Sequence, residues 1–287
     1  MKRQIMNELK KRENYYFEYD FENFNQEDFT EVYDPTGINY TIEQTIGGQK
    51  YLNVSRPGTL SQHFKLIKNF RPIKIKDVND VSQQVLITAC VNIGNYDADK
   101  IFPILMFRTI KYDIQNLVYI PTYNGNNIVS TNFWNYTALL YNKINDQTKI
   151  SNWINNSSEV SPDLNYWENY SSTTYPVSTP VTNQFSSVVN ANSVNPKWVW
   201  IGVYLNVYVG SLQNVTVWND SVSDIKAIPS QWNNSDLYSP ISLEFSHPFV
   251  INGVGLWFYG YSGVGIHDLQ ISKIAIVKNP SITVYGL

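Results

Sequence analysis

Between Trp198 and Val209 every second residue is aliphatic: Val199, Ile201, Val203, Leu205, Val207 and Val209. Successive side chains of a β-strand point to opposite faces, so these six residues make one continuous apolar face, which no period of 3.6 residues could gather. Such a strand belongs in the middle of a sheet that packs against a second layer, and it commits the chain to a β-layered fold. The reverse face carries Trp198, Trp200, Tyr204, Asn206 and Tyr208. Two accounts of that aromatic face stand side by side. In the first, Asn/Tyr-rich loops or a neighbouring subunit cover the rings, and their N–H and O–H groups find polar partners at the edge. In the second, the rings form a flat platform for sugar rings or a partner, because a large exposed apolar patch usually marks an interaction site. Trp257, Tyr259 and Tyr261 repeat the pattern, and would widen the platform if their strand pairs with the first.

The rest of the chain supports the layered reading. Alternating or β-branched runs predict strands at Tyr15 to Phe21, Gln49 to Ser55, Leu60 to Ile67, Gln84 to Ile93, Ile104 to Tyr112, Asn214 to Trp218, Ile241 to Phe245, Phe249 to Tyr261, His267 to Val277 and Ser281 to Tyr285. Only Gln4 to Arg12 has helical spacing, within a basic arm that spans 1–14. Residues 15–287 are expected to form one all-β domain, a jelly-roll-like two-sheet β sandwich with strands from 15–121 and 197–287. The intervening 122–196 is rich in Asn, Ser, Thr, Tyr and Pro and reads as a long loop-rich insertion, held in order by its own Trp and Tyr residues.

Charge and motif content exclude several function classes. Charged residues make up 16% of the chain and the formal net charge is −3, so the basic stripe of a nucleic-acid binder is missing, and no sequence-specific nucleic-acid partner is expected. The basic arm has no apolar stretch behind it, so no secretory signal peptide is expected; no run is long enough for a membrane span. The lone Cys90 excludes a disulfide framework and sits in an apolar run as a core residue. Gly260-Tyr-Ser-Gly263 misses the spacing of a nucleophile elbow, and His63, His247 and His267 show no ligand spacing, so no catalytic residues are assigned. Nine Asn-x-Ser/Thr sequons occur. Asn135, Asn155, Asn156, Asn169, Asn214, Asn219 and Asn233 are the candidate glycosylation sites, and most are expected in or beside loops.

Several segments resemble the jelly-roll carbohydrate-binding modules. Phe17-Glu-Tyr-Asp-Phe-Glu22 is similar to their first strand, and Gly48-Gln-Lys-Tyr-Leu-Asn-Val-Ser55 to their Gly-x-x-Tyr-Leu-x-Val-Ser strand. Leu60-Ser-Gln-His-Phe-Lys-Leu66, Val85 to Asn92 and His267 to Val277 resemble the next, the central and the terminal strand, so that the likeness covers about half the chain. It implies a two-sheet sandwich with adjacent N- and C-terminal strands. It also implies a structural calcium near them, for which Asp20, Glu22 and Asp268 are the candidate ligands; no other cofactor is expected. The missing signal, the basic arm and the insertion depart from that pattern and resemble phage and archaeal-virus surface proteins. The leading expectation is therefore a non-enzymatic structural protein of the virion, a capsid, decoration or spike component assembled in the host cytoplasm. Its partners would be copies of itself or other virion proteins. A carbohydrate-binding or receptor-binding module that meets a host glycan is the alternative, and a polysaccharide-active enzyme the second alternative.

Overall fold

The computed structural model describes residues 15–33, 39–56, 62–74, 84–93, 101–113, 118–119, 122–124, 127–130, 135–142, 147–154, 181–182, 197–208, 211–234, 239–240, 249–260 and 267–283. The basic arm and its expected helix, and the strand expected at Ile241 to Phe245, lie outside them. Over the first part of the chain the strands are β1 (Tyr15–Asp20), β2 (Glu31–Tyr33), β3 (Asn39–Gln44), β4 (Lys50–Arg56), β5 (Gln62–Lys74), β6 (Gln84–Ile93) and β7 (Ile101–Asp113). Then come β8 (Val118–Tyr119), β9 (Thr122–Asn124), β10 (Asn127–Ser130), β11 (Asn135–Asn142), β12 (Gln147–Ile154) and β13 (Val181–Thr182). The last part holds β14 (Val199–Tyr208), β15 (Ser211–Asn219), β16 (Gln231–Asn234), β17 (Ser239–Pro240), β18 (Phe249–Gly260), β19 (His267–Lys278) and β20 (Ser281–Thr283).

Two large sheets result. The first runs β20-β16-β15-β14-β6-β19-β4-β3, and the second β13-β12-β11-β7-β18-β5-β2. Pairing is antiparallel except between β16 and β20. The fold is thus an all-β sandwich, and β1 pairs with β19, the strand that resembles the modules' terminal strand, while the last strand, β20, pairs with β16 at the other edge. The stretch expected to be a loop-rich insertion is in part sheet. Its β11 pairs with β12 on one side and with β7 on the other, extending the second sheet. Those strands read weakly in sequence because Asn, Thr and Tyr break the aliphatic alternation on which the strand assignment depends.

The aliphatic face of β14 lies where its pattern requires. Val199, Ile201, Val203 and Leu205 are buried between the sheets with Val85, Ile87, Ala89 and Val91 of β6 and Leu105, Leu139, Val254 and Leu256 of the second sheet. Burying each Val, Leu or Ile side chain contributes roughly 1.5–3 kcal/mol, so this layer is the main source of stability. The strand β6 is buried on both faces, as its nearly unbroken apolar run demands. Its outer positions Leu86 and Cys90 belong to a second apolar cluster, on the far side of the first sheet.

Close approach of backbones fixes two glycines. At Gly202 of β14 a Cβ would press on the carbonyl oxygen of Ile87, and at Gly255 of β18 on the carbonyl oxygen of Leu66. Both are positions where only hydrogen fits against the neighbouring strand.

On β19 the register shifts between Ile271 and Lys273, a β-bulge at Ser272. Up to Ile271 the strand pairs with β4, and from Lys273 onward with β1. The bulge therefore marks the point where one neighbour hands over to the other. It also brings the buried Ser272 to the segment that builds the site, while the buried Lys273 turns to Glu18 and Asp20 of β1.

Candidate functional site

The link between β15 and β16, residues 220–230, is a compact loop whose ends are tied together. Asn219 Nδ2 donates to the Gln231 carbonyl at 2.9 Å, and Asn219 Oδ1 accepts from the Ser221 N–H at 3.0 Å. A loop of this length with closed ends and inward-packed side chains is an Ω-loop, a form that often carries function. Its sequence Asp220-Ser-Val-Ser-Asp-Ile-Lys-Ala-Ile-Pro-Ser230 places Val222, Ile225 and Ile228 at intervals of three among polar residues. Those three pack onto the outer face of the first sheet against Trp200, Tyr204, Leu86, Cys90 and Trp232.

Three polar anchors, two of them on strands, hold the loop down. Gln49, just before β4, donates from Nε2 to Asp224 Oδ1 and accepts the Ile225 N–H at Oε1 at 3.3 Å. Ser272 Oγ, on the β19 bulge, donates to the Ile225 carbonyl at 2.6 Å. Lys226 Nζ reaches Asp20 Oδ1 at the end of β1 at 2.5 Å. The Lys226 N–H, donating to Asp224 Oδ1 at 2.7 Å, holds the Asp224 carboxyl below its ordinary pKa against a smaller opposing effect of burial, with the Gln49 amide assisting.

The loop leaves a cleft of about 410 Å³ between itself and the sheet. Trp200, Val222, Ile228 and Pro229 supply its apolar wall, and Asn219, Ser221, Ser223, Asp224, Ser230 and Gln231 its polar rim. Trp200 stands edge-on to Trp232, with ring centroids 6.2 Å apart at 89°. Its indole Nε1 is buried and has no hydrogen-bond acceptor among the described residues. An unpaired buried donor is unfavourable by about 1–3 kcal/mol.

These positions revise the aromatic platform. Trp200 is 1% exposed, beneath Val222 and Ile228 of the Ω-loop, and Tyr204 is 9% exposed in the same apolar cluster, so neither ring presents a surface. Among the described residues the segment that covers Trp200 is 220–230, an assignment that no local pattern supplies because its anchors are distant in sequence. Trp198 is half-buried and meets the Tyr51 ring at 5.1 Å; the Tyr51 hydroxyl, donating to Glu43, is pushed up to about 12, mainly by burial. Trp257 and Tyr259 lie on β18 of the second sheet, so their strand does not pair with β14 and no continuous platform forms. The side chains of Asn206, Tyr208, Trp257 and Tyr259, and the whole of Tyr261, are outside the described residues.

The expected calcium ligands are also redistributed. Asp20 caps the short 3₁₀ turn that starts at Phe21, accepting the Glu22 N–H at 2.9 Å, and its carboxylate is already matched to Lys226 and, at 3.9 Å, to Lys273. Glu22 is exposed. Asp20 pairs with Lys273 of β19 while Asp268 is five residues earlier on that strand, roughly 16 Å away at ~3.3 Å per residue. No group of three or more metal-ligating side chains occurs among the described residues. Two lysine ammonium groups thus stand where the resemblance put a cation.

Of the candidate glycosylation sites, Asn135, Asn214, Asn219 and Asn233 fall in β11, β15, β15 and β16, not in loops. The Asn219 amide is engaged at both ends in closing the Ω-loop. Asn155, Asn156 and Asn169 lie outside the described residues. Among those described, no helix is long and apolar enough to cross a membrane.

Cys90 is buried under the loop, and its thiol is pushed up to about 12 by burial, which outweighs the hydrogen bond from Ser272. At pH 8 only about one thiol in ten thousand is then ionised. We expect no reaction with a thiol-specific reagent over hours in the native protein and one equivalent within minutes in denaturant. Rapid labelling of the native protein would show that the loop does not seal this face.

No family model and no curated protein matches the chain. Among solved structures, it is similar to the CBM2 module of the evolved Dit of Lactobacillus casei BL23 phage J-1, at 13% identity and a TM-score of 0.41, covering 95% of this chain and 98% of that one. It is also similar to lectin II from Ulex europaeus, at 12% identity and a TM-score of 0.40, covering 92% and 99%. Peanut lectin gives 10% identity and 0.40, covering 93% and 99%. At such low scores the sandwich assignment stands on the chain's own strand pairing.

Proposed function

We propose that this protein is a non-enzymatic glycan-binding β sandwich whose site is the Ω-loop cleft. The observation that carries this reading is the make-up of the cleft, in which the aliphatic carbon of Val222, Ile228 and Pro229 lies among amides, hydroxyls and one carboxylate. A sugar ring has the same two-sided chemistry, C–H groups on its faces and hydroxyls on its edge. The lining is more polar than that of an ordinary apolar small-ligand cavity, as a ligand edged with hydroxyls requires.

Membership of a virus particle, the first expectation from the sequence, is compatible with this role as a receptor-binding or adsorption component. Mass spectrometry of purified particles tests that part separately.

Glycan-array binding, followed by titration calorimetry on any positive sugar, tests the site. Gln231 is exposed on the rim and its backbone carbonyl, not its side chain, closes the loop, so Gln231→Ala removes a recognition group without disturbing the fold. We expect a loss of about tenfold in affinity or more, the scale of one hydrogen bond to a ligand, with an unchanged melting temperature. Undiminished sugar binding by Gln231→Ala combined with Ser223→Ala would place the site elsewhere on the sandwich.

A further inference from the structure

We infer that the Ω-loop cleft selects uncharged sugars and rejects those bearing a carboxylate. This inference rests on the glycan-binding reading and adds its substrate class.

The cleft lining contains one ionisable group, Asp224, and no Lys, Arg or His. The two lysines nearest in sequence to its rim are both turned to other partners. Lys226, although next to Asp224, sends its ammonium under the loop to Asp20 and to the Ser272 carbonyl. Lys197 pairs with Asp220 at 3.0 Å, leaving that edge of the loop neutral. The net charge of the lining is therefore −1. The backbone and amide donors that converge on Asp224 keep it ionised through the neutral range.

A carboxylate is an acceptor only, as is the acidic group of a uronic or sialic acid. Set against each other on the cleft rim, the two have no proton to share and they repel, an interaction that salt screens because Asp224 is partly open to solvent. A sugar hydroxyl at the same place donates to Asp224 and accepts from the serines or Gln231. Discrimination of this kind comes from a repulsive element built into the site, not from tighter contacts to the preferred ligand.

The test uses matched pairs that differ only at C6, methyl glucoside against methyl glucuronide and methyl galactoside against methyl galacturonide. Saturation-transfer NMR ranks them and calorimetry measures them, at low salt and in ~1 M NaCl. For the full chain we expect the neutral member of at least one pair to bind about tenfold tighter or more at low salt. The ratio should shrink toward unity at high salt, where the Debye length falls to about 3 Å. Asp224→Asn keeps an oxygen for the Lys226 N–H and Gln49 while removing the charge, and it should bring the neutral-to-acidic ratio close to one, whatever its absolute affinities. Equal or preferred binding of the uronides would overturn the selectivity while leaving the glycan reading intact. So would a salt-insensitive ratio, or a ratio unchanged in a folded Asp224→Asn. Failure of the wild type to bind any saccharide at all would overturn both.

Discussion

Gly255→Ala is expected to remove most or all of the native fold. Gly255 sits in β18 between Ile67 of β5 and Met106 of β7, so neither neighbouring strand can move away without unzipping a ladder in the centre of the second sheet. A Cβ there would lie well inside the contact distance of the Leu66 carbonyl oxygen, a backbone atom with no rotamer to change. Relief requires β5 and β18 to separate, which breaks hydrogen bonds on both sides and opens the layer that buries Leu66, Val254 and Leu256. We place the loss at or above the ~4–5 kcal/mol that marks exceptional single substitutions. Against a total of roughly 5–15 kcal/mol for a domain, that leaves a marginal or unfolded chain. Circular dichroism melting and the soluble fraction on expression measure it. A melting temperature within about 2 °C of wild type would mean that the two strands do not approach as described.

The same geometry shows what the sequence makes legible. The alternation of β14 and the apolar run of β6 are written by the core itself, so β6 is read to the residue, Gln84–Ile93, and β14 to within one at each end. Where a strand owes its place to pairing and not to an apolar face, as in β3 (Asn-Tyr-Thr-Ile-Glu-Gln), the pattern carries little and the strand goes unread. The site is harder still. Alternation states which face Trp200 occupies but not what covers that face. The cover depends on Gln49 reaching Asp224 across 175 residues and Lys226 reaching Asp20 across 206. Only the threefold spacing of Val222, Ile225 and Ile228 in an otherwise polar loop hinted that the segment packs down. The charged residues near β1 show the same limit, since Asp20, taken from the resemblance as a calcium ligand, is matched by lysines supplied from the Ω-loop and β19.

Trp200→Ala separates the two accounts of the aromatic face most sharply. On an exposed platform, truncating the ring would abolish binding and leave stability within ~0.5 kcal/mol. Trp200 is instead among the largest fully buried side chains, packed against Trp232 on one side and under Val222 and Ile228 on the other. Its removal leaves a cavity that the paired strands β6 and β15 cannot close. The expected loss is ~3–5 kcal/mol, the range for a buried Trp or Phe cut to Ala. Trp200→Phe should lose less, because it keeps most of the packing and removes the N–H that has no acceptor. The Ω-loop should loosen with its floor, so Cys90 becomes reactive toward thiol reagents in folded Trp200→Ala while staying protected in Trp200→Phe. Urea unfolding midpoints and labelling rates on the two variants give the comparison. An alanine variant as stable and as well protected as the wild type would return Trp200 to the surface, and with it the platform in place of the cleft.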